Sequence, residues 1–237
     1  GAAQKVPEAE LLSAEEGAKQ ARMLVSDLLS QQPTQNLTNT GVLTIRDSKR
    51  KESRIPVEFA IVVTPTNWLS IYSALGAGNS SAFIVVHADG QPNEYLLNDS
   101  RSDTNEVRRL AATDLMAPFA GSDFWLADLA LDFLQWPEQR VLKNEMKRSR
   151  SCRVLESINP KPAPGAYSRV VSWIDNESGG IVHADAFDAR GRVLKEFDPK
   201  DFKKVNGEWQ LEEMEMLDRQ SNSRTRIEFK LGSKRAP

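Results

Sequence analysis

Met-Ala-Pro-Phe-Ala-Gly-Ser-Asp-Phe-Trp-Leu-Ala-Asp-Leu-Ala-Leu-Asp-Phe, residues 116–133, is the stretch whose reading decides the fold. It stands midway along a chain that otherwise reads as β-strand. Pro118 and Gly121 open it as a loop. Phe124, Trp125, Leu126, Leu129, Ala130, Phe133 and Leu134 then cover most of a helical circumference, against a narrow polar stripe of Asp128, Asp132 and Gln135. The spacing predicts one short helix over 123–134, with Ser122 or Asp123 near its N-cap and Pro137 just past its end. A short apolar helix in a β-protein needs an apolar surface to lie on. It is therefore expected to cover a sheet or barrel, either as a lid over a lipid cavity or as a plug in a packed core. Burying each large side chain contributes about 1.5–3 kcal/mol in both cases, so the helix alone does not separate them. Asp128 and Asp132 lie one turn apart and are expected on the solvent stripe.

Upstream, residues 11–31 read as the first helix. Ser13 and Glu16 make an S-x-x-E capping box, and Ala14, Ala18, Ala21, Val25 and Leu28 share one face. Gly17 costs about 1 kcal/mol against Ala, which makes the first turn its weak part. From Gly41 the period changes to two. Short runs at 42–46, 57–63, 68–74, 81–88 and 94–97 are separated by turn-formers. Residues 47–54 read as a hairpin tip and 76–81 as a turn. Residues 98–122 form a loop with a helical turn near 105–112. Downstream, 139–147, 151–158, 167–175, 180–188, 192–197, 209–217 and 225–230 read as strands, with Asn206-Gly207 as a hairpin turn. The expected architecture is a single domain over 1–237: helix 11–31, strands 41–97, loop and lid helix 98–136, strands 138–230. About ten or eleven antiparallel strands make a mainly β (α+β) meander.

The composition narrows the function. The chain has 237 residues, 40% hydrophobic and 27% charged, with net charge −2 and interspersed signs. That balance argues against nucleic-acid binding, which needs a concentrated basic face. No run of about 18 apolar residues suggests a membrane span. Cys152, the one cysteine, can form neither an internal disulfide nor a thiolate cluster and reads as a buried hydrophobe. His87 and His183 lack a spaced acidic motif, so no metal is expected and satisfied strand histidines are the simpler reading. G-x-S-x-G, P-loop and G-x-G-x-x-G motifs are missing, and no cofactor or catalytic residue is assigned. A glycosidase-type use of Asp128 and Asp132 is disfavoured against ordinary helix carboxylates. Lys143, Lys147, Arg148, Arg150 and Arg153 straddle a hairpin tip. They could face anionic lipid, but Glu145 and Glu156 interrupt them and favour a solvated face.

Several segments resemble the lipoprotein-localisation superfamily, and most of all its outer-membrane lipoprotein-sorting branch. Gly121-Ser-Asp-Phe124 followed by Asp128-Leu129 is similar to that branch's Gly-Ser/Thr-Asp-Phe and Glu-Asp-Leu/Met. Ala127 stands where the acid is usual. Tyr167-Ser-Arg-Val-Val-Ser-Trp-Ile-Asp175 resembles its Trp-Ile/Val-Asp strand. Phe187-Asp-Ala-Arg-Gly-Arg-Val-Leu-Lys195 resembles its Tyr/Phe-Asp-x-x-Gly-x-x-x-Lys hairpin. Asn206-Gly-Glu-Trp-Gln210, Met214-Glu-Met216 and Ser223-Arg-Thr225 resemble the strands that follow. The likeness spans about residues 40–230. It implies an incomplete, strongly curved antiparallel barrel with helices on its open side and an apolar interior that holds acyl chains. Arg46 is a candidate counterpart of the carrier's basic barrel residue, but no role is transferred to it.

The resulting expectation is a non-enzymatic, periplasmic or otherwise exported monomer that binds lipid or lipoprotein acyl chains, with envelope proteins as further partners. The alternative is an envelope interaction or stress-sensing module on the same fold. Residues 1–4 look like a sequence that starts after a removed signal segment. The expected lining and lid residues are Trp68, Ile71, Phe83, Phe124, Trp125, Leu126, Leu129, Phe133 and Trp173. The segment 123–134, approached through Gly121, is the expected moving part.

Overall fold

The computed structural model describes residues 10–76, 79–99 and 106–231. The readings of residues 1–4, of the centre of the 76–81 turn and of the loop through 100–105 lie outside the described residues. Among the described residues, thirteen strands form one antiparallel sheet. The first meander holds β1 (Leu37–Arg46), β2 (Glu52–Val63), β3 (Trp68–Gly76), β4 (Asn79–His87), β5 (Glu94–Asp99) and β6 (Val107–Arg109). The second holds β7 (Glu138–Lys147), β8 (Arg150–Ile158), β9 (Arg169–Asp175), β10 (Ile181–Phe187), β11 (Val193–Val205), β12 (Glu208–Asp218) and β13 (Ser223–Phe229). Every neighbour in the sheet is also a neighbour in sequence, except where β1 pairs with β13, from Gly41↔Phe229 to Arg46↔Arg224. The edges are β6 and β7, and no ladder joins them among the described residues. The sheet is thus an incomplete barrel, as expected.

This topology explains the central segment. The chain leaves the sheet at one edge, β6, and re-enters at the other, β7. Residues 110–137 therefore cross the open face as a strap. They do not form one helix over 123–134. A 3₁₀ turn at Ala112–Met116, a second at Phe119–Gly121, the single-turn helix α2 (Leu126–Leu129) and a third 3₁₀ turn at Asp132–Gln135 succeed one another. Ala120 (φ 53°) and Gly121 (φ 68°) turn the chain back, so that Phe119 N donates to Phe124 O at 2.7 Å and Leu126 N to Ala117 O at 3.0 Å. Leu131 (φ 50°) separates α2 from the last turn. The cap also differs from the expectation. Trp125 occupies it, and the Asp128 carboxylate accepts from Trp125 N at 2.7 Å. The segment reads as helical because it is apolar on several sides; a strap pressed between two cores shares that property.

Two further boundaries moved. The helical turn expected near 105–112 is partly the short strand β6, which helps to raise the strand count above ten or eleven. The strand expected to stop at Phe197 continues to Val205, because register shifts around Pro199, Asp201 and Phe202 absorb the proline.

Helix α1 (Ala14–Ser30) starts just after the expected cap residue and not at Leu11: Ser13 Oγ accepts from Glu16 N at 3.2 Å. Gly17 has a packing reason that periodicity did not show. A Cβ there would stand 2.5 Å from the backbone oxygen of Val141, so only glycine lets α1 lie this close to β7. The apolar interior falls into two clusters. Leu43, Val57, Phe83, Val85, Met214, Met216, Ile227 and Phe229 of the sheet pack under Leu115, Phe119, Phe124, Leu126 and Leu129 of the strap. Val141, Leu155, Val170, Ile174, Ile181 and Ala184 pack under Ala21 and Leu24 of α1, with Phe133 and Leu134 of the strap. Cys152 is fully buried, as read.

Candidate functional site

Where the two clusters meet, the sheet, α1 and the strap do not fill the space between them. A cavity of about 290 Å³ remains. Its walls come from the end of α1 (Leu28, Gln31), from Tyr72 of β3, from Phe124, Leu129, Leu131 and Leu134 of the strap, and from Phe197, Phe202, Leu211 and Met214 of β11 and β12. Gly179, Gly180 and Ile181 close one side. Most of the wall is apolar; Asp128, Gln31 and Tyr72 bring the polar atoms. Burial pushes the Tyr72 hydroxyl up to a pKa of about 12, so it stays protonated. A second hollow of about 720 Å³ lies between α1 and β7, but Arg22, Glu138, Arg140 and Glu156 line it, which suits solvent better than an apolar ligand.

Beside the cavity the strap is bolted to the sheet by buried polar groups. Asp123 N donates to Thr225 Oγ1 at 2.9 Å, and Thr225 Oγ1 donates to Asp123 Oδ2 at 2.7 Å. Ser223 Oγ donates to Asp123 Oδ1. Lys195 of β11, only 3% exposed, donates to Asp123 O at 2.7 Å and reaches Asp128 Oδ2 at 3.4 Å. Its ammonium sits 3.8 Å from the centre of the Trp125 ring, which itself stacks on Tyr167 at 4.5 Å. The Tyr167 hydroxyl donates to Asp128 Oδ2 at 3.2 Å. Burial raises the pKa of Asp128 and lowers that of Lys195; each partner's charge opposes the shift of the other. The expectation that Asp128 lies on a solvent stripe is therefore corrected. Its carboxylate caps α2 and pairs with a lysine 67 positions away.

The expected lining residues separate into four groups. Phe124 and Leu129 do line the cavity. Phe83, Leu126 and Phe133 are buried within the two cores. Trp125 is half-buried over Lys195, and Trp68 stacks on His87 at 4.8 Å. Ile71 and Trp173 belong to the other face of the sheet. Strand alternation turns them away from Tyr72 and Ala74 in β3 and from Ile174 in β9, which pack inward. Trp173 Nε1 donates there to Glu145 at 2.7 Å. Sequence reasoning missed Leu28, Phe202, Leu211 and Met214 as lining, and Lys195 as a clamp. One signal was present for Lys195: it shares strand parity with Phe197, which packs inward. The basic tip residues are each occupied. Arg148 pairs with Asp198 at 2.6 Å, Arg150 with Asp175 at 2.7 Å and Lys143 with Glu145 at 3.2 Å. Lys147 sits over Trp173, and Arg153 bonds Asn176.

A family model whose description reads "Uncharacterized protein" matches residues 82–234, well over half of the chain. The chain belongs to that family. No curated protein matches its sequence. Among solved structures, it is similar to a DUF1329 family protein from Desulfovibrio piger, at 19% identity and TM-score 0.73, over 92% of this chain and 95% of that one. It is also similar to a putative outer membrane lipoprotein-sorting protein domain from Vibrio parahaemolyticus, at 17% identity and TM-score 0.71, over 94% and 95%. A LolA superfamily protein from Nitrosomonas europaea matches at 14% identity and TM-score 0.57, over 92% and 94%. At these identities the likeness is one of fold, and it is the fold that the sequence motifs implied. No helix among the described residues is long and apolar enough to cross a membrane.

Proposed function

We propose that the chain is a non-enzymatic periplasmic carrier that holds a lipid tail, or an acyl chain of a lipoprotein, in the cavity between α1, the strap and β10–β12. The observation that carries this reading is the apolar hollow of about 290 Å³ left at the seam of two otherwise dense cores. Removing methylenes from water into such a hollow contributes about 0.8 kcal/mol each. The fold shared with a putative lipoprotein-sorting domain supports the same reading. The volume lies at the small end of ligand sites, which run from about 300 to 1,000 Å³. It suits part of one chain, and a larger cargo requires a wall to move.

The wall that moves is the C-terminal end of α1, against the 175–180 turn that stays in place. The strap is held by a buried ion pair and by Asp123 on Ser223 and Thr225, so lifting it would expose or orphan those groups at high cost. Leu28 of α1 and Gln31 at its C-cap meet the cavity with their side chains.

The test is lipid extraction from unstripped protein, followed by uptake of a fluorescent fatty acid. Leu211→Trp places a large ring on the cavity wall. It is expected to lower probe uptake at least roughly tenfold, the loss of ~1.4 kcal/mol of binding, with an unchanged circular-dichroism spectrum. A protein that yields no lipid and takes up no probe is not a carrier.

A further inference from the structure

On the face turned away from the cavity, β10 and β11 set four ionisable side chains in a two-by-two array. Asp185 and Glu196 are direct partners across the ladder, and the adjoining pair Ala184↔Phe197 sets His183 beside Asp198. His183 is buried. Its Nδ1 lies 2.5 Å from Asp198 Oδ1, and its Nε2 lies 2.8 Å from Asp185 Oδ1. One ligand atom from each of His183, Asp185 and Glu196 falls within 4.8 Å of the other two. Carboxylates directly opposed across an antiparallel pair repel, and a cation held between them removes that cost.

We propose that His183 Nε2, Asp185 and Glu196 form a site for one divalent transition-metal ion, with Asp198 orienting the imidazole from behind. One imidazole and two carboxylates suit Zn²⁺ or Mn²⁺. A carboxylate on the far ring nitrogen fixes tautomer and ring plane, the arrangement that supports metal-binding histidines generally. Arg148 pairs with Asp198 at 2.6 Å, which balances that carboxylate and keeps it behind the ring. Arg219 pairs with Glu196 at 3.4 Å and is largely exposed, so an ion at Glu196 competes only with a solvent-screened pair. The ion displaces the proton shared between Nε2 and Asp185, and that proton leaves to solvent. Three protein ligands leave positions for water, and the partial exposure of Asp185 and Glu196 gives an entry path. The sequence hid this set because one acid is two positions along the strand and the other arrives through the ladder.

Untagged full-length protein, stripped with a chelator, is titrated calorimetrically with ZnCl₂ alone. One saturable site per chain is expected. Asp198→Asn should weaken it about 10–100-fold, and His183→Ala and Asp185→Asn by at least roughly tenfold. Glu212→Gln, on another strand, should leave it unchanged. The Trp173 ring centre lies 5.4 Å from that of His183, so Co²⁺ should quench tryptophan fluorescence in the wild type and markedly less in Trp173→Phe. If His183→Ala folds poorly, Asp185→Asn decides, because it removes charge and keeps shape. Absence of saturable uptake, or uptake unmoved by both Asp185→Asn and Asp198→Asn, overturns the site. The array lies on the opposite face from the cavity, so this outcome is independent of lipid uptake.

Discussion

The two halves of the sheet are roofed in different ways. The strap covers β1–β5 with β12 and β13, while α1 covers β7–β10. Under the strap, apolar packing by Phe119, Phe124, Leu126 and Leu129 is supplemented by buried polar bolts: Asp123 to Ser223 and Thr225, and Lys195 to Asp128. Under α1 the contact is mainly apolar, through Ala21 and Leu24, with one backbone bond from Leu12 N to Leu142 O at 2.8 Å and a close approach at Gly17. Apolar contact is non-directional and tolerates sliding; a buried ion pair with hydrogen bonds has one geometry. The comparison teaches that one roof is held by directional bonds and the other chiefly by apolar packing, with the cavity between them.

The strongest way to break this comparison is to remove one bolt. Lys195→Met leaves the Asp128 carboxylate buried beside Tyr167 without its countercharge, and should cost about 3–5 kcal/mol in urea unfolding. The double variant Lys195→Met/Asp128→Leu should recover much of that loss, since neither charge of the pair is left without its partner. If Lys195→Met costs little, the strap is not bolted. A smaller effect is expected from Gly17→Ala. In an exposed helix that change would stabilise by about 0.5–1 kcal/mol. Here the new Cβ meets the Val141 carbonyl, and a loss of about 1–3 kcal/mol is expected. Hydrogen exchange should then speed up along α1 but not along 116–135, and equal acceleration of both would dissolve the distinction.

The smallest effect concerns the rim beside α1. Asp175 fixes the 175–180 turn through Arg150 Nη1 at 2.7 Å, Ser178 Oγ at 2.7 Å and Glu177 N at 3.1 Å. Burial alone would raise its pKa, but these donors outweigh burial and hold it below the ordinary value. A native pKa below the unfolded one means that the folded state binds fewer protons. The stabilisation is therefore complete above the unfolded carboxylate range, about pH 4, and is lost as pH falls through the lowered native value. Asp175→Asn should flatten the acid limb of the stability curve and leave the slope near neutral pH unchanged.

Much of the architecture was legible from local chemistry. The Ser13 cap, the period-two runs and the Asn206-Gly207 turn, with both residues at positive φ, stand where the sequence puts them. The strap was not legible as a shape. Helical spacing of apolar residues marks any segment buried on several sides, and the left-handed residues Ala120 and Leu131 give no compositional warning. Nor was its fixation legible, because Asp123 meets Thr225 across 102 positions. Asp123, Asp128, Lys195, Ser223 and Thr225 all belong to the segments that resemble the lipoprotein-sorting branch. In space they converge on one clamp.

The strand order carries a kinetic consequence. Each meander can zip up from its own hairpins, since successive partners are near in sequence. The β1–β13 ladder, which joins Gly41 to Phe229, must wait until both zippers exist. That late, long-range closure is expected to set the folding rate, and the strap bolts, which tie the middle of the chain to β11 and β13, are long-range contacts of the same kind.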